Sequence, residues 1–157
     1  MNLEIREATA AEQLDWDALI RRFPAHRVEH TRAWIDSLAA SGFGRPLYLV
    51  WTIDGDVVGC MAGLIKKVGP FMLYGSPLPG WQTGGLGPLF DAARVSTGQL
   101  IGALIPVLEE RYAIDHVELL TNQLEAEAMA ALGFRPEDTP TFRAPLYPGD
   151  EAKQLGL

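Results

Sequence analysis

The sequence predicts an α/β domain, a mixed and mostly antiparallel sheet with helices on both faces. Three observations point to it. Residues 47–53 (LYLVWTI) and 57–65 (VVGCMAGLI) are β-branched and aromatic runs around Asp54-Gly55-Asp56, the clearest hairpin signal in the chain. Apolar residues at helical spacing lie on both sides of that hairpin. Between Tyr74 and Asp91 runs a proline- and glycine-rich stretch, YGSPLPGWQTGGLGPLFD, entered by a strand-like run and followed by a helix-like one.

In chain order, residues 3–7 alternate apolar and charged side chains, as a short edge strand does. Thr9 and Glu12 have capping-box spacing, and Leu14, Trp16, Leu19 and Ile20 then suit one face of a helix ending near Phe23-Pro24. A second helix over residues 31–40 carries Trp34, Ile35 and Leu38 and stops at Ser41-Gly42. After the hairpin, residues 71–76 should be a third antiparallel strand, with Gly59 and Gly63 leaving room for a neighbour or marking bulges. The helix over 99–112 presents Leu100, Ile101, Leu104, Val107 and Leu108, and Pro106 should kink it or shift its start. Residues 116–121 read as a strand, 124–132 as a helix closed by Gly133, and 141–147 as a last strand that Pro145 pushes towards an edge. Strands 71–76 and 117–121 should be parallel and splayed, joined by the helix as crossover.

The 157 residues fit one domain, expected over 1–148 with a loose tail after it. A net charge of −7 and the lack of a basic cluster argue against nucleic acid or an anionic membrane as main partner. The single cysteine, Cys60, excludes an internal disulfide and a cysteine-based zinc site, and it sits most simply as buried packing. The polar N-terminus lacks secretory-signal character, and no apolar run reaches membrane-spanning length, so a cytoplasmic location is expected.

The glycine-rich stretch can point several N–H groups at one anion if it opens a helix after a strand. As a bare pattern it equally suits a rigid surface loop. Its segment Gln82-Thr-Gly-Gly85-Leu-Gly87 fits the Q/R-x-x-G-x-G/A loop of the Gcn5-related N-acetyltransferase (GNAT) superfamily. Asn122, with Gly133-Phe134 after the helix, resembles that superfamily's late-helix signature. The resemblance covers roughly residues 45–147. Met129 stands where the superfamily's tyrosine acid would fall, and Pro88 follows the loop directly. Gly85–Asp91, Thr141-Phe142-Arg143 and the helix around Trp34-Ile35-Asp36 resemble the first GNAT-like domain of FemAB-type aminoacyl- and acyltransferases, which carry two such domains in tandem.

The resemblance implies an N-acyltransferase moving an acetyl or aminoacyl group onto an amine of a small molecule, sugar or cell-wall precursor. The donor would be acetyl-CoA or another acyl-CoA, or aminoacyl-tRNA on the FemAB-type reading. It implies that the backbone of Gln82, Gly84, Gly85, Leu86 and Gly87 holds the coenzyme pyrophosphate. Acyl transfer needs a base, donors for the oxyanion and an acid for the leaving group. Tyr74 and Ser76, at the end of the strand entering the loop, and Asn122, at a later strand end, are the candidates. His26 and His30 lack a third ligand and read as solvated surface side chains rather than a metal site, while His116 and Glu118 share one strand face. The alternative is a non-catalytic GNAT-like binding module. Trp81, Leu86, Leu89 and Phe90 crowd one loop, which predicts a face covered by a second copy or a second domain.

Overall fold

The computed structural model describes residues 2–139 and residue 149; the strand expected at 141–147 lies outside the described residues. The chain opens with strand β1 (Leu3–Glu7), helices α1 (Ala10–Leu14) and α2 (Trp16–Ile20), a 3-10 turn (Val28–His30) and helix α3 (Arg32–Ala40). Strands β2 (Arg45–Ile53), β3 (Asp56–Val68), β4 (Phe71–Ser76) and β5 (Leu89–Phe90) follow, then helix α4 (Thr97–Tyr112), strand β6 (His116–Leu119) and helix α5 (Ala126–Ala131). The sheet order is β1-β2-β3-β4-β6, antiparallel throughout except for the parallel β4–β6 pair, with β5 also on β3.

The hairpin forms where expected, with Asp54 and Gly55 alone in the turn and both at positive φ. That is the backbone a two-residue loop needs to match strand twist. Strand β2 is buried on both faces, which explains its unbroken apolar run. Leu47, Leu49, Trp51 and Ile53 pack with Leu100, Ile101, Leu104 and Leu108 of α4. Tyr48 and Val50 turn the other way, onto Trp16, Ile20 and Ile35. In β3 the pairing register shifts opposite Trp51/Thr52. This bulge puts Val57 in the α2–α3 layer and Val58 in the α4 layer.

The capping box at Thr9 and Glu12 is present, but the first helix is two, broken at Asp15. Leu14, expected on the buried face, is 75% exposed, because the break turns α2 so that Trp16 and Ile20 point inward. Helix α4 starts at Thr97 under a Ser96–Gln99 capping box and runs on through Pro106, whose side is exposed. Among the described residues no helix is long and apolar enough to cross a membrane.

Strand β4 carries the junction on which the second half of the chain is built. Ser76 is fully buried; its hydroxyl donates to the Ala62 carbonyl (2.7 Å) and accepts from the Gly87 N–H (2.9 Å). The Ser76 carbonyl accepts from Leu120 N–H at 3.1 Å. Beyond this point residues 77–88 leave the sheet, and Leu89–Phe90 returns to pair with Gly59 and Cys60 of β3. The glycine-rich stretch is therefore an excursion from the strand position beside β3. Tyr74, two residues earlier on the same face of β4, lies at 0% exposure with its ring against Gly63, where a side-chain carbon would meet the phenol at 2.6 Å. Its hydroxyl has no partner among the described residues, and burial pushes its pKa up.

Opposite effects are expected from removing these two hydroxyls. Ser76→Ala leaves a buried carbonyl and a buried amide unpaired and should cost about 1–3 kcal/mol, whereas Tyr74→Phe removes an unpaired hydroxyl and should leave stability equal or slightly higher. Urea melts of both variants measure the contrast.

Candidate functional site

Strands β4 and β6 keep register from Leu73↔His116 to Ser76↔Leu119 and then part. A groove of about 1650 Å³ opens there, at the C-terminal ends of the two parallel strands. This is where a sheet of this kind offers a ligand site, since the chain leaves the two strands in different directions. Its walls are the turn containing Ala25, Arg27, Glu29 and His30, the loop Pro77–Leu86, and the segment from β6 through α5.

The loop wall is held firmly. Trp34 Nε1 donates to Thr83 Oγ1 at 3.2 Å, tying the loop to α3. Trp81 is buried with Leu38, Leu64 and Leu78, its ring 5.8 Å from that of Phe43. On the far side, Leu86 N–H donates to the Leu120 carbonyl at 2.8 Å. Of the four apolar residues expected to form an exposed face, Trp81, Leu86 and Leu89 are interior side chains of this chain and Phe90 is partly buried against the α4 side of the core.

Of the residues singled out in the sequence, Gln82, Gly84, Gly85, Leu86 and Asn122 border the groove, and Tyr74, Ser76 and Gly87 do not. Gln82, Gly84 and Asn122 are exposed; Asn122 Oδ1 accepts from Gln123 Nε2 at 2.7 Å. The expectation that Tyr74 and Ser76 reach an acceptor is corrected: both are in the core, one against Gly63 and the other bonded on two sides. The expectation that all loop amides from Gly84 to Gly87 face the groove is corrected in part. Leu86 and Gly87 N–H are bonded inside the protein, while those of Gly84 and Gly85 have no acceptor among the described residues. Gly87 has φ +79, and a side-chain carbon there would meet Thr121 Cβ at 2.7 Å, so close packing requires glycine. Nor does the loop run into a helix. After β5, a turn anchored by Asp91, which accepts from Arg94 and Val95 N–H, separates it from α4.

Sequence reasoning missed the turn wall. Arg27 Nη1 lies 3.4 Å from the place a Gly85 side chain would start, and Glu29 Oε1 3.5 Å from that of Gly84. His30, expected to stand in solvent, is 6% exposed; its Nδ1 accepts from Arg27 N–H at 3.0 Å. Its Nε2 is buried beside the Leu86 main chain without closing a hydrogen bond to it. His26 does stay exposed, on the Phe23 carbonyl at 2.7 Å. The signal for His30 was its place immediately before Thr31, the N-cap of α3, a position whose side chain folds back onto the helix. His116 and Glu118 do share a face, 3.1 Å apart and partly exposed at the groove.

Burial lowers the His30 pKa, the Glu29 charge opposing and the Arg27 charge assisting. The unfolded chain therefore binds the proton more readily, and this stability, present above the ordinary histidine pKa of about 6.5, is lost as pH falls through the lower folded value. Wild type should lose more melting temperature than His30→Gln between pH 7.5 and 5.5; equal losses would show that His30 does not titrate this way.

No family model and no curated protein matches the sequence. Solved structures do match the fold. An acetyltransferase from Trypanosoma brucei aligns at TM-score 0.53 and 14% identity, over 92% of this chain and 100% of its own. AAC(6')-Iy, in complex with the bisubstrate analogue CoA-S-monomethyl-acetylneamine, aligns at TM-score 0.52 and 14% identity, over 93% of this chain and 100% of its own. A predicted acetyltransferase from Clostridium acetobutylicum, with acetyl-CoA, aligns at TM-score 0.53 and 10% identity, over 91% and 96%. The mixed six-stranded sheet with helices on both faces is the fold of the GNAT acetyltransferases.

Proposed function

We propose that this chain is an N-acyltransferase that takes an acyl group from acetyl-CoA or another acyl-CoA to an amine of a small molecule. The observation that carries this reading is the groove where β4 and β6 part, in a chain whose fold matches acetyltransferases over more than nine-tenths of its length. The groove offers what the reaction asks for in pieces. The Gly84 and Gly85 amides and the Asn122 side-chain amide are donors for a pyrophosphate or a developing oxyanion. Glu29, beside Gly84, is a carboxylate available to take the ammonium proton.

A second reading is favoured by one specific feature. With Leu86 N–H on Leu120 and Gly87 N–H on Ser76, the chain's own loop fills the gap between β4 and β6. Fewer amides then remain for a coenzyme. That arrangement suits a FemAB-type first domain, which shapes an acceptor site and pairs with a second GNAT-like domain, the donor then being aminoacyl-tRNA and the acceptor a sugar or cell-wall precursor.

Acetyl-CoA should raise the melting temperature of the purified chain. Gly84→Val, which has room to fold because its nearest neighbour is the Glu29 carboxylate at 3.5 Å, should abolish the rise. No rise with wild type removes the acyl-CoA reading in favour of the second.

A further inference from the structure

We infer that the wall between the 27–30 turn and the Gly84-Gly85 platform recognises an acceptor that carries an anionic group, phosphate or carboxylate, close to its amine. The inference rests on the amine-acceptor reading above and specifies its substrate class. Opposite charges stand over successive residues: the Arg27 guanidinium over Gly85 and the Glu29 carboxylate over Gly84. Among the described residues neither takes part in an ion pair, with the other or elsewhere, although only one residue separates them. Neither side chain makes a hydrogen bond among the described residues. Both instead lie against glycine backbone, where no side chain of the loop stands between them and the groove.

An arginine fork suits the planar or tetrahedral oxygens of a carboxylate or phosphate, and a carboxylate suits an ammonium. The backbone beneath both charges is fixed rather than adaptable. His30 accepts from Arg27 N–H at 3.0 Å, and Trp16 Nε1 donates to the His30 carbonyl at 3.0 Å. His30 itself is buried at this wall, its Nε2 without a hydrogen-bond partner among the described residues. With a net charge of −7 on the chain, a polyanion is disfavoured, and a small ligand with one anionic group and one cationic group fits the local pair.

The test uses the ¹⁵N-labelled chain with no acyl donor, titrated with O-phosphoethanolamine, β-alanine, ethanolamine and inorganic phosphate. The Gly84 and Gly85 amide signals should move with at least one of the two zwitterions, at an affinity about tenfold or more above that for either single-charge compound. Whichever zwitterion binds tighter identifies the anion as phosphate or carboxylate. Arg27→Ala should reduce its affinity to that of ethanolamine, Arg27→Lys should retain part of it, and Glu29→Gln should reduce it to that of the anion alone. Unmoved glycine amides, or zwitterions no better than phosphate or ethanolamine, would overturn the inference. Because no donor is present, failure of acetyl-CoA protection leaves this result standing, and the reverse also holds.

Discussion

The Ser76 hydroxyl is bonded on both sides, and three segments of the chain meet at it. Its proton goes to Ala62 in β3, its lone pair takes the Gly87 amide, and its own carbonyl receives Leu120 from beyond β6. A side chain so placed cannot be moved without uncovering buried polar groups, and those are costly to leave unpaired. Everything that shapes the groove follows from this joint. It ends the β4–β6 pairing, admits Leu86 between the two strands and sets where residues 77–88 leave the sheet.

The excursion then needs anchoring from the helix side, and the two-faced sheet provides it. Alternation along β2 sends one set of side chains to α4 and the other to α2 and α3. With α3 held on that face, Trp34 reaches Thr83, and Trp81 fills the space among Leu38, Leu64 and Leu78. The loop is thereby packed as core on its inner side while Gln82 and Gly84 remain in solvent. A binding surface built this way loses little conformational freedom on meeting a ligand, which favours affinity. The opposite wall follows the same logic: the turn before α3 is fixed through His30 and Trp16, so Arg27 and Glu29 project from settled backbone.

Much of the fold was legible in the sequence because it rests on local patterns. Asp54-Gly55, the Thr9–Glu12 box, the α3 and α4 periodicities and Gly133 each act within a few residues, and each element formed close to its expected place. The break at Asp15 was not legible, since a single helical period over residues 14–20 does not distinguish one helix from two that turn. The glycine motif was legible as a motif and misread as a place. Its pattern suited a loop entering a helix, but the return of Leu89–Phe90 to β3 depends on a pairing partner some thirty residues away.

The sequence by itself determined the element order, the hairpin and the two apolar faces of the central strands, because hydrophobic periodicity and turn chemistry are read from neighbours along the chain. Only the tertiary structure decided which polar groups are available for chemistry. Tyr74 and Ser76 sit at a strand end that looks accessible in sequence, yet the sheet and α4 enclose one and the loop closes over the other. Arg27, Glu29 and His30 look like ordinary polar surface, yet folding brings them against Gly84, Gly85 and Leu86 from more than fifty residues away. Burial and hydrogen-bond satisfaction are properties of packing, and packing joins segments that the sequence holds apart.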